Sequence, residues 1–384
     1  MSNSLRILAW PAFKAKGSPY NALLYNNMQT LGATVEEFTA WRVLSTRYDV
    51  VHLHWPEYCL NGRGPLASFF WTCALFGAMS WVRLRGGKVF WTVHNLESHG
   101  QQYPAAERRF WRAFTALLDG YICLTKDGGV QALNRYPALC KMPGFVIPHG
   151  NIRDAYSGVE ISREEARSRL GIAPSAKVAA FFGYVAPYKG VPELVQKFSA
   201  LRDSQAVLVV AGKCSLAPAE RKLIEEIAAH DRRVLLHLEY VPLSEVAVYI
   251  RAADLMVLPF REVLNSGSAV LALSLDRPVL VSARGAMTEL QEFAGPEWVR
   301  MFTGELTSDT LERQLDWAVT GADARGRCRV LEQGWKGLDW KSIAELTLDA
   351  YRSVRESAAG AASLHLLESE SEQCENRTGT SWQR

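Results

Sequence analysis

The sequence predicts an α/β protein made of two doubly wound domains, each a parallel sheet flanked by helices. Three observations predict it. Short apolar runs rich in β-branched and aromatic residues alternate with longer helical patterns, as parallel βαβ units buried on both faces require. The runs form two series, one in each half of the chain, so two such domains follow. The chain, at 384 residues, also exceeds what a single hydrophobic core usually organises.

The first series of strand candidates is Arg6–Trp10, Asp49–His54, Lys88–His94, Gly120–Leu124 and Gly144–Ile147. The second is Lys177–Phe182, Ala206–Ala211, Val234–Leu238, Leu255–Leu258 and Pro278–Ser282. The boundary is placed near Ile147-Pro148-His149-Gly150-Asn151, with the first domain taken as 1–155 and the second as 156–339. Ser162-Arg163-Glu164-Glu165 reads as a helix start, with Ser162 as N-cap and Glu165 completing a capping box. Gly171 closes that helix. A last helical pattern, Trp340 to about Arg355, puts Trp340, Ile343, Ala344, Thr347, Leu348 and Tyr351 on one stripe. The remainder, 357–384, is rich in Ser, Glu, Gly and Ala and reads as a disordered tail.

Composition narrows the function classes. The chain is 48% hydrophobic and 22% charged, ordinary for a soluble globular protein. Its net charge of +3 is too small to argue for a nucleic-acid partner. The seven cysteines are scattered without a C-x-x-C pair, so neither a disulfide framework nor structural zinc is expected, and a reducing cytoplasm fits. Met1 runs almost directly into the first strand, so no secretory leader is expected.

Doubly wound sheets bind ligands beyond the carboxyl ends of their strands, so the segments that follow the strands are where the chemistry is expected. After the first comes Lys14-Ala15-Lys16-Gly17-Ser18-Pro19-Tyr20, with Gly17 and Ser18 just before a helix. Such a helix start accepts an anionic group, or the segment is a plain surface turn. After the second comes His52-Leu53-His54-Trp55-Pro56-Glu57. His52 and His54 share a strand face, but no third ligand follows at usable spacing and no metal is expected. His54 and Trp55 offer an acceptor-side sugar surface and Glu57 a general base; a capped loop with a packed tryptophan explains the same residues. After the third comes Thr92-Val93-His94-Asn95, where His94 either contacts the donor sugar or is a core histidine.

In the second half, Phe181-Phe182-Gly183-Tyr184-Val185-Ala186-Pro187-Tyr188-Lys189-Gly190 ends a buried strand in a glycine-containing loop. Gly183 allows close backbone approach, and Lys189 supplies a charge for phosphate. Leu258 through Val270 carries Glu262 and the Asn265-Ser266-Gly267-Ser268 segment at a helix start, a seat for a diphosphate. Glu262 can accept from sugar hydroxyls, and ordinary N-capping accounts for part of the role of Ser266.

These residues carry a resemblance to GT-B glycosyltransferases, especially the large retaining superfamily that uses nucleotide sugars. Gly183–Gly190 resembles its G-R-x-x-x-x-K-G stretch, with Lys189 at the phosphate-binding lysine and Tyr184 where arginine is usual. Thr92–Asn95 resembles its sugar-contacting histidine segment, and Ile147-Pro148-His149-Gly150 its I-P-N-G interdomain motif. Asp339–Ala344 resembles the start of the terminal helix that crosses back to the first domain. The E-x7-E pattern fails, because Val270 stands eight positions after Glu262, which removes the glutamate that usually holds the ribose.

His-Leu-His-Trp-Pro-Glu together with Asn-Ser-Gly-Ser is similar to bacterial exopolysaccharide enzymes of the xanthan β-mannosyltransferase type. That resemblance implies two Rossmann-like domains facing across a cleft, and mannose transfer from GDP-mannose to a polyprenyl-diphosphate-linked oligosaccharide with inversion. It also implies no metal cofactor and a place on the cytoplasmic face of the inner membrane. Another nucleotide-sugar transferase of the UDP-glucose or galactose type, a sugar-nucleotide epimerase, and a non-catalytic sugar-binding or assembly protein stay open. Leu66–Val82, with Phe69, Phe70, Trp71, Leu75, Phe76 and Trp81, is unusually apolar and precedes Arg83, Arg85 and Lys88. It reads as an interfacial helix or as a buried helix of the first domain. Arg108, Arg109 and Phe110-Trp111-Arg112-Ala113-Phe114 extend the same basic-aromatic surface.

Overall fold

Two six-stranded sheets, every strand parallel to its neighbours, organise the chain. The computed structural model describes residues 4–14, 19–60, 64–98, 103–156, 161–321, 328 and 339–357. Gly17, Ser18 and the 358–384 tail, all singled out from the sequence, lie outside them. One compact unit takes Met1–Pro148 with Trp340–Arg384, the other His149–Asp339. The second unit therefore begins at His149 rather than at residue 156. The cause is local: the Ile152 amide donates to Ser274 Oγ (3.2 Å), and Arg153 forks onto Asp276 (2.8 and 2.6 Å).

The first unit runs β1 (Arg6–Trp10), α1 (Tyr20–Thr30), β2 (Thr34–Glu37), α2 (Ala40–Ser45) and β3 (Val50–Leu53). It continues through α3 (Pro65–Leu84), β4 (Lys88–Val93), α4 (Pro104–Ala116), β5 (Gly120–Cys123), α5 (Lys126–Arg135) and β6 (Gly144–Val146). Its sheet order is β2-β1-β3-β4-β5-β6. The second unit holds α6 (Arg163–Arg169), β7 (Lys177–Phe182), α7 (Val191–Ser199), β8 (Ala206–Ala211), α8 (Pro218–His230), β9 (Val234–His237) and α9 (Leu243–Ala252). It closes with β10 (Leu255–Leu258), α10 (Gly267–Ser274), β11 (Val279–Ser282), α11 (Ala286–Ala294), β12 (Val299–Phe302) and α12 (Ser308–Thr320), in the order β12-β11-β10-β7-β8-β9. The last helix, α13 (Trp340–Ser357), belongs to the first unit and packs on α1. Its expected stripe from Trp340 to Tyr351 is buried.

Central strands such as β3, β10 and β11 are buried along their whole length, which is why they read as continuous apolar runs. Strands β2 and β12 were not anticipated. Both are four-residue edge strands, Thr-Val-Glu-Glu and Val-Arg-Met-Phe, with half-exposed side chains, and edges are kept short and polar to limit further pairing. At α6, the Ser162 hydroxyl accepts from the Glu165 amide (3.0 Å) as expected. The Glu165 carboxylate instead pairs with Arg169 (2.7 Å), leaving the reciprocal half of the capping box unmade by that residue.

Two expectations about apolar segments change. Helix α3 buries only Ser68, Leu75, Met79 and Val82, so it is not a buried core helix. It is long and apolar enough to cross a membrane by length and composition, yet it joins adjacent parallel strands β3 and β4. The Leu75–Met79–Val82 stripe, at helical spacing, holds it along the sheet. The Phe110–Phe114 segment of α4 is not a surface: Phe110, Trp111 and Phe114 are buried, and Trp111 and Phe114 pack on Trp91 with ring centroids 5.2 and 5.5 Å apart.

Candidate active site

Each sheet has one point where the strand order reverses, and ligands bind beyond the carboxyl ends there. In the first sheet that point lies between β1 and β3; in the second, between β7 and β10. The candidate residues gather at both.

At the first, the His54 amide donates to the Trp10 carbonyl (3.0 Å), bringing the two strand ends together. His94, just past β4, is half-buried, and its Nε2 lies 2.9 Å from His54 Nδ1. Its ring stacks on Trp55 (centroids 4.5 Å, 22°) and receives the edge of Tyr20 (5.2 Å). Trp55 thus packs on the histidine as well as offering indole surface. His54, expected on the acceptor side, is 1% exposed and sits behind His94. Glu57, in a 3-10 turn at Pro56–Cys59, is buried and accepts from Asn95 Nδ2 (3.1 Å). Burial pushes its carboxyl up to about 7, against the opposing Asn95 donation, with Glu107 adding to the rise. A carboxyl poised there is half ionised near neutral pH and suits general-base work.

At the second switch point the two loops read from the sequence are knitted together. The Arg261 amide donates to the Tyr188 carbonyl (2.9 Å). Gly183 has φ of +135°, and a Cβ there would stand 2.7 Å from Ser268 Oγ; only glycine lets the loop lie against α10. Gly190 is left-handed (φ +67°), and a Cβ would run into the Pro259 carbonyl oxygen. Between them, Lys189 Nζ lies 3.7 Å from the Phe260 ring centroid and 5.0 Å from that of Tyr188. Among the described residues no carboxylate pairs with it, and burial lowers its pKa to about 8.

The Ser266 hydroxyl caps α10 by accepting from the Ala269 amide (3.1 Å), which leaves the first amides of that helix for another acceptor. Asn265 is half-buried beside them, and Glu262 is exposed on the loop between β10 and α10. Val270 is buried, so no ribose-binding carboxylate comes from its position.

Sequence reasoning missed Tyr20, Tyr25 and Tyr351 as neighbours of the histidines, and Phe260 as the face under Lys189. Only the shared strand face of His52 and His54 pointed toward the tyrosines. The His52 and His54 rings lie 4.3 Å apart, and among the described residues no group of three or more His, Cys, Asp or Glu converges to hold a metal.

Residues 176–299 match the family described as glycosyl transferases group 1. The chain is 33% identical over 343 residues to a GDP-mannose:glycolipid 4-beta-D-mannosyltransferase of Xanthomonas campestris pv. campestris, covering 88% of each protein. This chain is a GT-B glycosyltransferase of that family. Solved structures with the same fold include a sucrose-phosphate synthase from Thermosynechococcus elongatus (TM-score 0.65, 18% identity, covering 92% of this chain and 100% of that one). Another is Anabaena HepE in complex with UDP (TM-score 0.60, 16% identity, 91% and 100%). In this glycosyltransferase the matched family segment spans the Gly183–Gly190 loop and the start of α10.

Proposed function

We propose that the protein transfers mannose from GDP-mannose to a lipid-linked oligosaccharide, with inversion and without a metal ion. The observation that carries this reading is the seat in the second unit: a lysine with no carboxylate partner among the described residues, beside loops that lie against a capped helix start. Lys189 and the α10 amides take the charge that develops on the diphosphate as the C1–O bond breaks. The acceptor hydroxyl oxygen forms the new bond to C1, its proton passes to the Glu57 carboxylate, and the bonding pair leaves with GDP. His94 contacts the donor sugar and Trp55 flanks it. The choice of mannose, GDP and a glycolipid acceptor rests on the printed activity of the Xanthomonas relative.

The same reading puts the enzyme on the inner face of the cytoplasmic membrane. Support comes from Leu66, Phe69, Phe70 and Leu84 of α3 and Trp41 of α2, all exposed, with Leu84 81% and Trp41 77% accessible. Arg85 donates to the Leu44 carbonyl (3.3 Å) and so ties these two helices together. Apolar side chains with nearby cations suit an interfacial helix.

The test is product analysis with GDP-mannose, UDP-glucose and UDP-galactose, each with and without a polyprenyl-diphosphate oligosaccharide. A new β-mannoside formed only with acceptor, unaffected by EDTA, supports the reading; a changed nucleotide sugar without acceptor overturns it. Lys189→Ala should lower kcat by about 10²–10³-fold in a folded protein. In flotation assays with anionic vesicles, Phe69→Ser with Phe70→Ser should release the protein while its turnover of a water-soluble acceptor persists.

A further inference from the structure

Tyr58, next in sequence to Glu57, stands at the edge of the His94 site. It belongs to the same 3-10 turn, Pro56–Cys59, and is 52% exposed. Its ring runs nearly parallel to that of Trp55 (centroids 6.1 Å, 17°), and Trp55 in turn stacks on His94 (4.5 Å, 22°). His94, Trp55 and Tyr58 thus form a ladder of three near-parallel rings, running from a half-buried histidine to an exposed phenol. Among the described residues the Tyr58 hydroxyl makes no hydrogen bond.

The turn also joins this site to the apolar face of α3. Cys59 Sγ donates to the Trp71 carbonyl (3.8 Å), and Ser68 Oγ donates to the Leu60 carbonyl (3.4 Å). Both ties fall in the first turns of α3, where Leu66, Phe69 and Phe70 are exposed. Within the turn, Tyr58 is flanked by Glu57 on one side and by Cys59, with its tie to α3, on the other. A single exposed tyrosine is ordinary on a protein surface; the ring ladder and the tie to α3 set this one apart. The C–H face of a pyranose is apolar and covers an aromatic ring as other apolar surfaces do, while the phenol keeps a polar handle for a hydroxyl. Partial burial, and after it the Glu57 carboxylate, raises that phenol above its ordinary value, so it stays protonated beside the base.

We propose that Tyr58 is an acceptor-binding residue: a sugar of the lipid-linked oligosaccharide stacks on its ring and so brings a hydroxyl to Glu57. Donor binding, seated in the second unit, does not involve this ring. That the sugar is an acceptor rests on the transferase reading; that Tyr58 holds a sugar does not.

The probe is the free oligosaccharide released by mild acid from a polyprenyl-diphosphate oligosaccharide, titrated into the full chain without donor and followed by saturation-transfer NMR. The wild type should bind it, with saturation reaching the sugar ring protons. Tyr58→Ala should weaken binding about five- to tenfold, and Tyr58→Phe, which keeps the ring, by no more than about twofold. In turnover with a water-soluble acceptor and no vesicles, Tyr58→Ala should raise the acceptor KM by the same factor and leave the donor KM unchanged. A merely structural role lowers the melting temperature without that split. Tyr58→Leu, apolar but not flat, replaces the alanine variant if the latter does not fold. No binding by the wild type, or wild-type affinity in Tyr58→Ala, overturns the proposal. A defect confined to vesicle-bound acceptor, with weaker flotation, also overturns it and makes Tyr58 part of the membrane face. Transfer at the wild-type acceptor KM in Tyr58→Ala removes the proposal and leaves the transferase reading standing. Oligosaccharide binding that depends on Tyr58, with no transfer from any donor, does the reverse.

Discussion

The two groups assigned to the chemistry set a narrow pH window. Glu57 must be ionised to take a proton, and burial places its midpoint at about 7. Lys189 must be protonated to hold a diphosphate, and burial places its midpoint at about 8. Acid therefore removes the base, and alkali removes the cation. With midpoints one unit apart, the doubly competent form peaks at about 60% near pH 7.5 and falls to about a tenth at pH 6 and at pH 9. The expected kcat/KM profile is a bell that drops about sixfold at each side, since kcat/KM reports the free enzyme. Radiolabelled donor at subsaturating concentration, assayed from pH 5.5 to 9.5, measures it. Glu57→Gln should lower kcat by about 10²–10⁴-fold and abolish the acid limb. Lys189→Arg keeps the charge and should carry the alkaline limb beyond the range. Asn95→Ala removes a hydrogen bond to the carboxylate and should move the acid limb to higher pH. A flat profile across this range, or an acid limb that persists in Glu57→Gln, would refute the reasoning.

Other variants test the scaffold. Gly190→Ala combines positive φ with a collision on the Pro259 carbonyl and should cost about 1–3 kcal/mol or more. Gly32→Ala has positive φ in open space and should cost less, which paired melting curves would show. Arg167 is fully buried, donating to Asp254 (2.8 Å) and to the carbonyls of Ala252, Pro174 and Ala176. Arg167→Met strips those oxygens of their partner and should cost about 3–5 kcal/mol, read as a lower denaturation midpoint; an unchanged midpoint would count against a structural role for the pair.

The architecture was legible because its central strands are buried on both faces and announce themselves as unbroken apolar runs. Strands β2 and β12 were hidden by their edge position, where half the side chains meet water and composition resembles a loop. The donor loops were legible for a different reason: Gly183, Gly190 and the Ser266–Ser268 turn are demanded by backbone geometry, and such demands leave their mark on residue type. The depth of His54 was not legible because strand alternation gives a face and not a depth. Tyr25 packs on both histidines and Tyr351 on His52, and Tyr351 lies 299 positions from His52 along the chain, a separation no local pattern spans. Aromatic runs were equally ambiguous. The Phe110–Phe114 cluster packs inward while the start of α3 points outward, and the difference lies in which neighbours the sheet supplies.

Helix α13 is the last described element made during synthesis, yet it closes a lobe whose strand β1 is made more than three hundred residues earlier. A nascent chain can finish the intervening His149–Asp339 body while Met1–Pro148 still lacks a wall of its core. The groove on α1 that receives Trp340–Tyr351 stays open until the ribosome has delivered those residues. Truncation before Trp340 should therefore yield a sound downstream lobe and an upstream one prone to aggregate, so the lobes complete folding in the reverse of the order in which they are begun.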